Sequence, residues 1–131
     1  MKKILCAVLL TVLGSRVTYP EPWTGLQLTL TPGTAQRLVK NSIIASSLFI
    51  QMNVGGTGVG YVLSAPIGVT CAKGGAGTTW IATLQAATST APGGNITIPS
   101  NPDPQGGINV ALYCVDGAQS DTVTVAWNQR N

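Results

Sequence analysis

The stretch VGGTGVGYVL, Val54 to Leu63, places glycines at 55, 56, 58 and 60. Glycine at this density is what a phosphate-binding loop uses to bring backbone amides onto an anion. That chemistry also needs a helix after the glycines, so that its N-terminal amides face the phosphates. Here the glycines run into Tyr61-Val62-Leu63, a strand pattern, and no Gly-Lys-Ser/Thr follows. A dinucleotide fingerprint fails for the same reason. The spacing predicts a hairpin turn between two strands.

Other parts for chemistry are scarce. The 131 residues contain no histidine and four carboxylates, Glu21, Asp103, Asp116 and Asp121. This removes histidine acid–base catalysis, Ser-His-Asp and Cys-His nucleophiles, and mixed Cys/His zinc sites. Asp116 and Asp121 flank an expected turn, where Asp commonly bonds its own backbone; a calcium site is the less favoured alternative. An active site would have to join Asp103, Asp116 or Asp121 to a Ser or Lys, and no spacing brings these together. The expectation is a protein without catalytic residues, cofactor or metal.

Charge points the same way. Only 8% of residues are charged, against about 25% in an average domain. The net charge of +3 comes from Lys2 and Lys3 at the N-terminus and from scattered Arg16, Arg37, Lys40, Lys73 and Arg130. Nucleic acid requires a denser basic stripe, so it is not an expected partner. A surface this poor in charge suits a domain largely covered by neighbours.

Trp23, Trp80 and Trp127 could stack on sugars, but tryptophans on alternating strands are more often core or interface. Trp23 in particular reads as a packing anchor. Asn95-Ile96-Thr97 matches a glycosylation acceptor, a weak three-residue signal relevant only in a eukaryotic secretory setting. Of the three cysteines, Cys71 and Cys114 either form a bridge in an oxidising compartment or act as small buried hydrophobes; the spacing leaves both open.

The elements that must position these residues are strands. LQLTLT alternates Leu26, Leu28 and Leu30 with Gln27, Thr29 and Thr31, and TPGT supplies a turn. SLFIQMN repeats the pattern with Leu48, Ile50 and Met52. VGYVL, GVTCA, WIATL and NITI are further strands, while TLQAATSTA could at most form a helical turn. INVALYCV sets Ile108, Val110, Leu112 and Cys114 on one face, and DTVTVAW sets Val123, Val125 and Trp127, the two reading as a final hairpin. NPDPQGG reads as an exposed loop tip. About eight short antiparallel strands imply an all-β fold, a single β-sandwich or small jelly-roll-like barrel, over residues 26–131.

Residues 1–25 differ in kind. MKKILCAVLLTVLGS has two lysines and an apolar run from Ile4 to Leu13, too short for a membrane span, which needs about 20 residues. It is either a secretory signal, with Val12 and Gly14 at a passable cleavage site, or an apolar arm that orders against a neighbouring subunit. Cys6 follows Leu5 rather than the small residue of a lipoprotein signal. TYPEPW, with Pro20 and Pro22, is a short stiff connector. In the arm reading, Ile4, Leu5, Val8, Leu9, Leu10, Val12, Leu13 and Trp23 are candidate inter-subunit contacts.

The pieces LQLTLTPGTAQRLV, LFIQMNVGGTGVGYVL and INVALYCVDGAQSDTVTVAWNQ, in this order, resemble small β-sandwich virion proteins of tailed bacteriophages, of the capsid decoration or head-fibre base type. The shared features are a T-x-G-T turn after the opening strand, a G-x-T-G-x-x-Y-V hairpin and a closing hairpin, over roughly residues 26–128. The resemblance implies a non-enzymatic capsid decoration or cement protein in the virion. Its partners would be the major capsid protein or other virion proteins, and it would be a homo-oligomer, with a trimer favoured. The alternative is a secreted β-sandwich binding module, an adhesin or carbohydrate binder, whose signal is removed and whose Cys71 and Cys114 are bridged.

Overall fold

A computed structural model describes residues 23–100 and 106–129. Nine strands occur among them: β1 (Trp23–Thr29), β2 (Gln36–Arg37), β3 (Ile44–Met52), β4 (Gly60–Ser64), β5 (Thr79–Leu84), β6 (Asn95–Pro99), β7 (Ile108–Asn109), β8 (Tyr113–Gly117) and β9 (Thr122–Gln129). They form two antiparallel sheets. Sheet I runs β1-β9-β3-β6, with β7 also paired to β3, and sheet II runs β2-β8-β4-β5. The fold is the all-β sandwich that the alternating pattern implies.

The pairing has a nested order. β4 pairs with β5, β3 with β6, β2 with β8 and β1 with β9. The chain is thus one long hairpin folded at β4–β5 and rolled so that successive pairs fall in alternate sheets. The further pairs β3–β9 and β4–β8 close each sheet. This is jelly-roll topology.

Period-two alternation decides which side chains meet between the sheets. Leu48, Ile50, Met52, Val123, Val125 and Trp127 of sheet I are buried against Val62, Leu84 and Val115 of sheet II. Leu30 and Leu38 close the core at its rim, and Leu26 and Leu28 pack half-buried against it. Each fully buried aliphatic side chain contributes about 1.5–3 kcal/mol of transfer free energy, the main favourable term here.

Several expected elements differ. The stretches VGYVL and SLFIQMN flank the glycine loop as strands, but they do not pair: β3 lies in sheet I and β4 in sheet II. The loop is an arch between sheets rather than a hairpin turn, because β3 already has β6 and β9 as neighbours. The same holds at the end of the chain, where β8 and β9 belong to different sheets. INVALYCV is not one strand. The Asn109 side chain accepts from the Ala111 amide at 3.1 Å, and Val110–Leu112 forms a 3-10 turn that carries the chain across. GVTCA is no strand either. Gly68, at φ +90°, completes a turn in which the Val69 amide donates to the Pro66 carbonyl at 3.1 Å. TLQAATSTA forms no helical turn, its Thr88 hydroxyl accepting instead from the amides of Thr90 and Ala91. β2, missing from the alternation, is a two-residue strand on the rim of sheet II.

Candidate functional site

The glycine loop is the natural first candidate, and its role follows from one side chain. Asp121, in the β8–β9 connection, accepts from the Gly58 amide at 2.7 Å and from the Thr57 amide at 3.4 Å. The Thr57 hydroxyl bonds Gln119 at 2.7 Å. A Cβ on Gly56 would lie 2.8 Å from the Asp121 carboxyl carbon, and one on Gly58 would lie 2.9 Å from its Oδ2. These glycines therefore admit an acid to their amides, and the acid is the protein's own. Asp121 does bond backbone amides, but those of the facing arch instead of its own turn.

Asp116 is not in a turn. It lies inside β8, 5% exposed, with Oδ1 lacking a hydrogen-bond partner. Among the described residues no group of three or more His, Cys, Asp or Glu could hold a metal ion. Glu21 and Asp103 lie outside the described residues, as do Ile4, Leu5, Val8, Leu9, Leu10, Val12 and Leu13 and most of the NPDPQGG tip.

Part of the outer face of sheet II is covered by the chain itself, while Trp80 and the loop residue Ile67 stay exposed on that side. Leu63, Ala65, Cys71 and Cys114 form a small cluster apart from the main core, with Ala35 and Val69 against it. A disulfide joins Cys71 to Cys114, with Cα atoms 6.7 Å apart and a sequence separation of 43. Cys71 is thus tethered from a loop. Arg37 secures the start of that loop, donating to the carbonyls of Ala65, Pro66, Val69, Ala111 and Leu112 at 2.6–3.2 Å. Lys73 stands 3.5 Å over the Tyr61 ring, a further contact from loop to sheet. The Tyr113 phenol is pushed above its ordinary range by burial. Nothing in the local sequence distinguishes Arg37, since its partners are backbone groups 28 to 75 positions away.

Sheet I is different. Its core-facing residues leave an outer face made of three cross-strand rows: Trp23, Asn128, Ser47 and Pro99; Gly25, Ala126, Phe49 and Thr97; Gln27, Thr124, Gln51 and Asn95. None of these side chains carries a charge. At one end Trp23, Ser47, Phe49, Thr97 and Ala126 line a shallow groove of about 480 Å³. Trp23 is 54% exposed, so it is no packing anchor within this domain; Trp80, on the edge strand β5, is 60% exposed, and only Trp127 is core. Asn128, between Trp23 and Ser47 in its row, has a buried Oδ1 with no hydrogen-bond partner.

The chain matches no protein-family model, no curated protein and no solved structure. The uncharged face of sheet I is therefore the candidate site on its own geometry. Of the contacts singled out from the sequence, Trp23 is the one among the described residues, and it falls on this face. Ser47, Phe49, Thr97 and Ala126 were legible as the outward positions of alternating strands, but their convergence required the strand order.

Proposed function

We propose that this protein is a non-enzymatic virion structural protein of a tailed bacteriophage, a capsid decoration or cement protein that binds and stabilises the assembled particle. The observation that carries this reading is the face of sheet I, a four-stranded surface without a charge and with an exposed tryptophan beside an apolar groove. An exposed tryptophan beside an apolar groove, in a chain with 8% charged residues, supports a face that a partner covers. Jelly-roll topology is compatible with this, since viral capsid domains are among the proteins built on it, although the fold alone assigns no function. The sequence resemblance supplies the particle. A protein that binds only the assembled shell shifts the equilibrium toward it, which is how decoration stabilises. Co-sedimentation with purified particles tests the reading: the full chain should pellet with them, and a chain found only free in the lysate or medium overturns it.

The Cys71–Cys114 disulfide favours a second reading, a secreted binding module, because disulfides persist mainly in oxidising compartments. Intact mass with and without reductant separates the two. The secreted module has lost residues 1–14 or thereabouts and gains two hydrogens on reduction. A full-length chain that retains residues 1–14 excludes it.

A further inference from the structure

The groove on sheet I lies where the described chain begins. Trp23, the first described residue, is one of its walls. The sequence ahead of it contains a continuous uncharged run, Ile4 to Leu13. We infer that this groove is the receptor for the Ile4–Leu13 segment of a second copy of the chain. The inference rests on the reading of this face as one covered by a partner, and it names the partner.

The chemistry of the two surfaces matches. The groove presents the indole of Trp23, the ring of Phe49 and the methyl of Ala126, and about 480 Å³ accommodates a few aliphatic side chains. The segment offers Ile, Leu, Val and Ala with no charge to desolvate.

A second copy fits better than the chain's own segment. The sequence between the segment and the groove wall includes TYPEPW, whose Pro20 and Pro22 read as a short stiff connector. That stiffness works against the sharp reversal needed to lay the segment on its own sheet. Exchange between copies needs no reversal: each copy donates one segment and receives one, which closes in a dimer or a ring.

Cys6 lies within the segment and serves as a reporter. The full chain carrying Ala126→Cys is oxidised with diamide and analysed on a non-reducing gel, with mass mapping of the linked peptides. The expected result is a reductant-sensitive species of at least twice the chain mass, linking Cys6 to the new thiol at position 126 and absent when Cys6→Ser is added. Thr97→Cys, at an exposed position on the other wall, is the second variant and should give the same species. A bridge confined to single chains overturns the exchange, as does no bridge from either variant or a mature chain lacking residue 6. Particle sedimentation of the unsubstituted chain is run alongside. Binding to particles without a bridge removes this inference and leaves the virion reading, whereas a bridge without particle binding does the reverse.

Discussion

Oδ2 of Asp121 accepts the Gly58 amide hydrogen at 2.7 Å, and this bond ties the β8–β9 arch to the β3–β4 arch at one end of the sandwich. Since the acceptor is charged, Asp121→Ala should cost about 1.5 kcal/mol, the low end for such bonds because the group is partly exposed. Gly58→Ala should cost about 1–3 kcal/mol, because its Cβ would also meet the Gln119 backbone nitrogen at 3.0 Å. Urea unfolding of both variants measures the losses; a Gly58→Ala protein as stable as wild type would contradict the packing described for these arches.

The disulfide closes a loop with a sequence separation of 43. Chain-entropy arguments give about 4 kcal/mol for a loop of this length, so the Cys71→Ser, Cys114→Ser double variant should lose stability of that order. Oxidised and reduced wild-type protein should differ by a similar amount in unfolding free energy, read from denaturant curves. Coincident unfolding curves would mean that the bridge does not constrain the unfolded chain.

Arg37 should resist conservative replacement. Its two terminal nitrogens donate to five carbonyls, a fork that a lysine ammonium cannot reproduce. Arg37→Lys is expected to cost about 2 kcal/mol, and Arg37→Ala more, as partly buried carbonyls lose their donors. Hydrogen exchange should show the loss around residues 65–69 before it is felt in sheet I. Uniform exchange changes across both sheets would argue against this local role.

Burial raises the Tyr113 pKa above its ordinary 10.0. The folded chain therefore keeps a proton that the unfolded chain releases. The stabilisation is complete below pH 10 and is lost as pH rises through the folded-state pKa. Stability of the wild type should fall more steeply above pH 10 than that of Tyr113→Phe, followed by thermal unfolding across the alkaline range. Parallel curves for the two proteins would remove Tyr113 as the cause.

Trp23 should matter to association and little to folding. It is 54% exposed at the start of an edge strand, so Trp23→Ala should change unfolding free energy by less than about 0.5 kcal/mol, as for most surface sites. Oligomerisation or particle binding should fall at least tenfold if the groove is the contact. Unchanged association in sedimentation velocity and in particle binding would point away from sheet I, to the edge strand β5 with its exposed Trp80.

Much of the fold is local and could be read directly. The alternation in LQLTLT, SLFIQMN and DTVTVAW states which side chains turn inward, and those residues form the core, with Leu26 and Leu28 half-buried against it. The strand after the glycines and the lack of a Gly-Lys-Ser/Thr argue against a nucleotide loop without any coordinates. Where local reading fails, the reasons are specific. GVTCA has strand-like composition, but Gly68 makes a turn and Cys71 is tied to a distant strand. INVALYCV alternates well, yet Asn109 takes an amide that a continuous strand would need.

What the sequence by itself determines is the inward and outward face of each strand, because side-chain period two is a property of the extended backbone. It does not say which strand lies beside which, since backbone ladders pair any extended segments and the choice depends on how all the apolar faces are covered together. Only the tertiary structure decides that β1 lies beside β9 rather than next to its neighbour in sequence, and that Trp23, Phe49, Thr97 and Ala126 share one groove. The same rolling of the chain brings Asp121 to the glycines of residues 56–58 and Arg37 to carbonyls from two distant parts of the sequence. Those meetings arise from the nested pairing of distant strands, and no window of sequence contains them.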